Sequence, residues 1–200
     1  MRVAVIGAGN IGGTLGRAWD RAGHDVEFGV RDAADPKVAA LLGDARHASA
    51  APVADAVQAA AAVLLAVPGA ALADVVEGLG ASLSSAVLID ASNNMAGGPM
   101  DGTATILAAV PNATVFRAFN SLGWENFADP TFGGVAADLF YCGPDGDADA
   151  VAAQLIADVG LRPVRVGDLD QVEVVDAVTR LWFALSRQRG RHLAFKVLEG

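Results

Sequence analysis

A single cysteine, Cys142, denies this 200-residue chain any internal disulfide. That fits a reducing compartment, and a cytoplasmic protein is the expectation. With 53% hydrophobic residues the chain is long enough to bury a sizeable core without a covalent tie. Basic residues are also scarce: 14 Lys and Arg stand against 23 Asp and Glu, a formal net charge of -9. Contacts to a phosphate backbone need a surplus of cations, so general nucleic-acid binding is excluded. No apolar run approaches the ~20 residues needed to span a bilayer, and no charged segment leads into an apolar leader, so no membrane association is expected. The sequence contains no internal repeat, low-complexity tail or flexible linker. No group of His, Cys, Asp and Glu has metal-ligand spacing.

What the chain does carry is concentrated near its start. Residues 3–12 read Val-Ala-Val-Ile-Gly-Ala-Gly-Asn-Ile-Gly, an apolar strand running into Gly7-x-Gly9-x-x-Gly12 and then a helical pattern. Strand, glycines and helix in that order predict a dinucleotide site. Gly7 permits the tight turn, Gly9 lets a pyrophosphate approach the backbone, and Gly12 lets the helix pack closely on the strand. The pyrophosphate then rests on free N–H groups at the helix N-terminus. The plainer alternative is a glycine-rich turn kept for packing alone.

Apolar runs alternate with helical periodicity along the rest of the chain. Val3–Ile6, Asp25–Gly29, Val63–Val67, Ala86–Asp90, Thr114–Phe119, Asp138–Cys142 and Pro163–Val166 read as strands, with a short one at Ala45–Ala48. Ile11–Ala22, Pro36–Leu42, Val53–Ala60, Ala71–Leu79, Thr103–Ala109 and Ala148–Val159 read as helices. Ala91–Gly102 and Gly133-Gly134 read as loops, and Leu169–Leu198 as mostly helical with a break near Gly190. The expected fold is α/β: a Rossmann-type, doubly wound, mostly parallel sheet covered on both faces. Residues 1–168 form the NADP-binding domain, and 169–200 a small C-terminal helical extension of the same compact unit.

The second strand runs into Gly29-Val30-Arg31-Asp32, where NAD-binding units place an acidic residue on the ribose. Arg31 falls where the adenosine ribose would lie, and a guanidinium grips a 2′-phosphate with two parallel hydrogen bonds. NADP(H) is therefore expected over NAD(H). Asp32 comes one residue late by this count and is also a candidate helix cap. Arg31 can alternatively be a solvated charge in a turn. Lys37 either adds charge to the same site or sits on the helix surface.

Several segments belong together: the Gly-Ala-Gly-Asn-Ile-Gly turn, Gly29-x-Arg31, Ala66-Val67-Pro68, Leu88–Asn93, Ala118–Phe127, Tyr141-Cys142-Gly143, Leu181-Trp182 and Ala194-Phe195-Lys196. With them the chain resembles, over essentially its whole length, the NADP oxidoreductases that depend on coenzyme F420, an 8-hydroxy-5-deazaflavin. The resemblance implies hydride exchange between NADPH and a deazaflavin. It implies that Gly7, Gly9, Asn10, Ile11 and Gly12 form the pyrophosphate loop and that Arg31 binds the 2′-phosphate. It implies further that Ala66, Val67 and Pro68 lie near the nicotinamide ribose, and Asn93 and Asn120 near the nicotinamide. Three positions depart from the family pattern. Val30 replaces a small hydroxyl residue, Gly69 replaces a bulky aromatic one, and Asn94 stands where many relatives have proline. Gly69 and Asn94 border the expected hydride-transfer pocket, and Gly69 is expected to open it to another shape.

Hydride transfer between stacked rings asks little of side chains, and no catalytic residue stands out. His24, His47 and His192 have no evident partner for acid–base work, and Cys142 reads as core. Ser92–Met95 follows a strand and is a candidate pocket wall, or an Asn-rich turn held by its own side chains. Trp124 and Phe127 either cover a flat ring or pack in the core. Arg187, Arg189, Arg191 and Lys196 either hold an anionic ligand tail or form a solvated face. Val172, Val175, Val178, Leu181, Trp182 and Leu185 exceed one narrow core stripe and suggest a homodimer face. The leading expectation is an oxidoreductase passing hydride from NADPH to a small-molecule acceptor, coenzyme F420. The alternatives are a reductase of a flavin, ferric complex, carbonyl or imine, and an NADPH-holding redox sensor without turnover.

Overall fold

The computed structural model describes all of residues 1–200. Its elements run β1 (Arg2–Ile6), α1 (Asn10–Arg21), β2 (Asp25–Val30), α2 (Pro36–Leu42), β3 (Ala48–Pro52), α3 (Val53–Ala56), β4 (Ala62–Leu65), α4 (Gly69–Leu79) and β5 (Val87–Asp90). They continue α5 (Thr103–Ala109), β6 (Thr114–Arg117), α6 (Trp124–Ala128), β7 (Thr131–Phe132), β8 (Val135–Ala136), β9 (Asp138–Cys142), α7 (Asp147–Asp158), β10 (Arg162–Gly167) and α8 (Val172–Arg189). Eight strands form one sheet in the order β10-β9-β6-β5-β4-β1-β2-β3. All neighbours are parallel except β6 and β9, which meet through one antiparallel pair, Arg117 with Cys142. The chain therefore has the Rossmann-type α/β fold expected of it. From β1 the chain winds outward through β2 to β3, then restarts at β4 and winds the other way. The switch point lies between β1 and β4, where open α/β sheets bind ligands beyond their carboxyl ends.

Continuous apolar strands are buried on both faces because side chains alternate. Val3, Val5, Ala62, Leu64, Ile89 and Phe116 join a core of 27 buried residues with Leu15 and Trp19 of α1, Leu155 of α7 and Trp182 of α8. Ala4, Ile6, Val63, Leu65, Leu88 and Val115 join a second core of 16 with residues of α3, α4 and α5. Trp19 is fully buried and donates its indole N–H to the Leu155 carbonyl at 2.9 Å, tying α1 to α7. No helix is long and apolar enough to cross a membrane.

Three local expectations are corrected. Residues 45–47 form a turn, because the buried Asp20 carboxylate accepts the backbone N–H groups of Arg46 and His47 at 3.1 and 2.6 Å. The strand there is β3, pairing Ala48–Pro52 with Val26–Val30, and Pro52 then opens a single helical turn. The loop expected at Gly133-Gly134 is there, at φ +60° and +83°, as the two-residue turn of the β7–β8 hairpin. Helicity ends at Gly190 (φ +87°) rather than continuing to Leu198. The last ten residues instead run irregularly back over β9, where the Phe195 carbonyl accepts from Asp138 N–H at 3.0 Å and Trp182 donates to the Leu193 carbonyl at 2.7 Å.

Candidate functional site

The glycine turn is dictated by contacts that a side chain would break. Gly7 sits at φ +105°, and a Cβ on it would lie 2.5 Å from the Ala66 carbonyl oxygen. A Cβ on Gly12 would lie 1.9 Å from the Gly7 carbonyl oxygen, so α1 rests directly on the turn. Gly9 differs: an added Cβ would meet nothing within 4 Å. Its missing side chain is not needed by the fold and leaves open space against the backbone. Gly9 is the N-cap of α1, with no side-chain cap and no acidic residue in the first turn. The first-turn N–H groups at Asn10, Ile11 and Gly12 thus lack intrahelical acceptors and sit at the positive end of the helix dipole. That arrangement fits a pyrophosphate.

Beside the turn lies a cleft of about 770 Å³ whose walls include Gly7, Arg31, Lys37, Val53, Val67 and Pro68. Arg31 and Lys37 make no ion pair, although Asp32 and Asp35 share the cleft. Both carboxylates are engaged by backbone: Asp32 accepts from Ala34 N–H at 2.9 Å, and Asp35 caps α2 by accepting from Lys37 N–H at 2.8 Å. The α2 cap is thus Asp35, and Asp32 closes the turn before it. Two unpaired cations lining the cleft match a 2′-phosphate. Ala66 sits behind the cleft, its N–H on the Ile6 carbonyl at 2.9 Å.

At the carboxyl ends of β5 and β6 a charge network is buried that the periodicity did not reveal. Arg117, wholly buried, donates to the Asp90 carboxylate at 3.1 Å, to Asp176 of α8 at 2.9 and 3.0 Å, and to the Ser92 carbonyl. Its Nη2 also donates to Asn93 Oδ1 at 2.8 Å. The other bonds to the Asp90 carboxylate, from Ser92 N–H at 2.9 Å, Ser92 O–H at 2.6 Å and Gly102 N–H at 2.7 Å, close the loop between β5 and α5. Because the Asn93 oxygen faces a guanidinium, its Nδ2 is turned away and available as a donor. Asn120 points elsewhere: it is buried, and its Nδ2 donates to Asp176 at 3.0 Å and Thr179 at 2.9 Å, anchoring α8. Asn120 Oδ1 and Ser121 Oγ are buried without partners, and Phe119 before them sits at φ +60°. Burial raises the Asp176 carboxyl above the usual range despite Arg117 beside it.

Gly69 does not open the pocket: a Cβ there would lie 2.8 Å from Asn94 Cα, because the loop after β5 sits on the start of α4. Asn94 holds that loop, donating to the Gly97 carbonyl at 2.7 Å and accepting from Ala96 N–H at 3.0 Å. The four C-terminal cations do not converge. Arg191 pairs with Glu125 and lies 4.9 Å from the Trp182 ring centre, while Lys196 reaches Asp138 at 2.9 Å. Phe127 is core, edge-on to Phe119, and Trp124 is part exposed. His24 pairs with Asp158 at 2.7 Å, and His192 stacks on Phe132. Burial pushes the Cys142 thiol up to about 12, so it is no nucleophile at neutral pH. No three potential metal ligands gather anywhere. Arg117 and Asp176 carried one available signal each: a charge inside an otherwise apolar strand, and a charge inside the apolar stripe of α8.

Comparison with known proteins agrees with this architecture. Residues 2–94 match the family described as NADP oxidoreductase, coenzyme F420-dependent. A crystal structure from Arthrobacter sp. FB24, provisionally described as an F420-dependent NADP reductase, matches at TM-score 0.87 and 25% identity, with all of both chains covered. The hypothetical protein SMa0349 of Sinorhizobium meliloti matches at TM-score 0.71 and 32% identity, over 85% of this chain and 86% of that one. A reductive aminase from Aspergillus terreus, solved with NADPH4, cyclohexanone and allyl amine, shares the fold at TM-score 0.70 and 18% identity; this chain covers 60% of it. None of the curated proteins matches the sequence. Over residues 2–94, from β1 past β5, the chain matches the coenzyme F420-dependent NADP oxidoreductase family, and over its whole length it is similar to the Arthrobacter structure.

Proposed function

We propose that the protein is a cytoplasmic NADPH-dependent oxidoreductase that exchanges hydride with a flavin-like acceptor, the deazaflavin coenzyme F420. The observation that carries the nucleotide half is the cleft in which unpaired Arg31 and Lys37 share a wall with the glycine turn. The family match over residues 2–94 and the whole-chain likeness to a structure described as an F420-dependent NADP reductase support the acceptor. The N–H groups following Gly9 hold the pyrophosphate, Arg31 grips the 2′-phosphate bidentately, and Lys37 adds a point charge. Ala66, Val67 and Pro68 back the nicotinamide ribose. Asn93 donates from Nδ2 to a carbonyl oxygen, with its polarity set by Arg117. Asn120 acts one step back, holding the Asp176 carboxylate that faces Arg117. When bound, the nicotinamide supplies the hydride; the chain supplies distance, angle and exclusion of water.

A second reading, an imine or carbonyl reductase, is favoured by Asp176. Its three hydrogen bonds all converge on Oδ1, leaving Oδ2 undonated, and burial raises the carboxyl from its ordinary value against the pull of Arg117. A carboxyl so held can give a proton to a substrate nitrogen or oxygen. The test is NADPH oxidation by the purified protein with coenzyme F420, FMN, FAD, a ferric chelate and a cyclic imine as parallel acceptors. Turnover confined to the deazaflavin supports the proposal. Turnover of the imine, lost in Asp176→Asn, establishes the second reading instead. Tight NADPH binding without turnover on any acceptor refutes both.

A further inference from the structure

Residues 31–47 leave the sheet at the end of β2, carry α2 past the cleft and return as β3. Little holds this segment from within. Val38 is its one buried side chain, with Leu41 and Leu42 half-buried against the core. Helix α2 has seven residues, well short of the ~12–15 at which a helix begins to hold without outside support. Its first turn is capped by its own Asp35, but its last turn has no basic residue of its own. Helix α1 supplies what is missing. Arg17 donates from Nε to the Leu41 carbonyl at 3.0 Å and from Nη2 to the Ala40 carbonyl at 2.7 Å, which places a cation on the negative end of α2. Asp44, just past the helix, lies 3.8 Å from the same Nη2.

Gly13 and Asp20 flank Arg17 on the same line of α1, one turn to either side. A Cβ on Gly13 would lie 3.3 Å from Leu41 Cδ1, so α2 rests on bare backbone there. The Asp20 carboxylate accepts the N–H groups of Arg46 and His47, where the segment turns back into β3. One face of α1 thus fixes the far side of a segment whose near side lines the cleft. Lys37 sits one turn before the two carbonyls that Arg17 holds, so where Arg17 holds the helix decides where the Lys37 ammonium lies. Arg17 itself does not line the cleft. We infer that Arg17 is a specificity-determining positioning residue: by latching the end of α2 to α1 it holds Lys37 on the 2′-phosphate, and so sets the preference for NADPH over NADH. This role rests on the nucleotide half of the proposed function.

The test is calorimetric titration of the full chain with NADPH and with NADH. Arg17→Met keeps the aliphatic stem and loses both hydrogen bonds and the charge. It is expected to raise the NADPH dissociation constant roughly fivefold or more and to leave that of NADH within about twofold. In a Lys37→Ala background the same substitution is expected to add less than about twofold for NADPH, because the group it positions is gone. Arg17→Gln, which also removes the cation, gives the same comparison if circular dichroism shows that Arg17→Met does not fold. Equal losses for both nucleotides, unchanged NADPH affinity in a protein that prefers NADPH, or a selective loss that persists in full without Lys37 each overturn the inference alone. The nucleotide reading fails separately, and this role with it, by a wild type that binds the two nucleotides alike.

Discussion

Gly9→Ala and Gly12→Ala add the same methyl group to one turn and should fail in opposite ways. At Gly12 the new Cβ would lie 1.9 Å from the Gly7 carbonyl oxygen, in the turn, and 3.1 Å from a Val5 methyl of β1. The helix must back away from the sheet, and overpacking of this kind costs about 1–3 kcal/mol or more. For a chain of this length that lowers Tm by roughly 2–12 °C. At Gly9 the backbone is at φ -77° and ψ -166°, which alanine adopts freely, and the methyl meets nothing. Restricting the unfolded chain contributes about 0.4–1 kcal/mol of stability. Alanine is a poorer N-cap than glycine by about 0.5–1 kcal/mol, so the two effects offset. Tm should stay within about 2 °C. If the pyrophosphate meets the backbone in the open space at Gly9, as proposed, NADPH affinity should fall at least tenfold, about 1.4 kcal/mol. Differential scanning fluorimetry without nucleotide and a calorimetric NADPH titration separate the two outcomes. Gly9→Ala binding NADPH within twofold of wild type would refute the helix-terminus site, and an unchanged Tm in Gly12→Ala would refute the packing argument.

Arg31→Ala should weaken NADPH by about 1.5–3 kcal/mol, roughly 10- to 150-fold, while leaving NADH nearly untouched. Equal losses for both nucleotides in parallel titrations would show that Arg31 does not read the 2′-phosphate. Arg117→Met strands the Asp90 and Asp176 carboxylates in the interior and should cost about 3–5 kcal/mol in urea denaturation; a loss under 1 kcal/mol would show the network to be dispensable. Burial pushes the Asp138 carboxyl up, but hydrogen bonds from Arg162, Val197 N–H and Lys196 outweigh it and hold it at about 2, against an ordinary 3.8. Its contribution is complete above the unfolded value and lost as pH falls through the folded one. Between about pH 5 and pH 2 the wild type should lose ~2 kcal/mol that Asp138→Asn does not. Parallel pH profiles for the two would contradict that assignment.

The sheet was legible in the sequence because its strands are local, continuous and apolar, and each carries its own alternation into two cores. The glycine turn was legible for the same reason, since strand, turn and helix are contiguous. What failed to show is non-local. Residues 45–47 look strand-like, but their N–H groups are claimed by Asp20, more than twenty residues earlier. Periodicity carried helix past Gly190, yet the tail is held by Asp138 and Trp182 instead. Gly69 suggested extra room by its size, and only the position of Asn94 shows that the space is filled by backbone. Arg117 and Asp176 lie 59 positions apart and become one ion pair only when α8 closes on β6. A lone charge in an apolar run marks such a position without naming its partner.

That buried pair gives the pocket edge a polarity that can be reversed without disturbing its support. Asn93 Oδ1 accepts from Arg117 Nη2 at 2.8 Å, which leaves the amide nitrogen as the outward atom. An aspartate at this position keeps an oxygen on Arg117 and strengthens that contact, because both partners are then charged. The outward atom changes from a donor to an anionic acceptor. A ligand carbonyl that had received a hydrogen bond would now face a carboxylate, a loss of about 1–3 kcal/mol, or roughly 5- to 150-fold in kcat/KM. The adenosine half of the nucleotide, placed by the proposal at Arg31 and the glycine turn, should be unaffected, so affinity for 2′,5′-ADP should not move. Asn93→Asp is therefore expected to keep its Tm and its 2′,5′-ADP affinity while losing turnover. If kcat/KM stays within twofold of wild type, Asn93 donates to nothing in the reacting complex, and the loop after β5 is a support for α4 rather than a wall of the site.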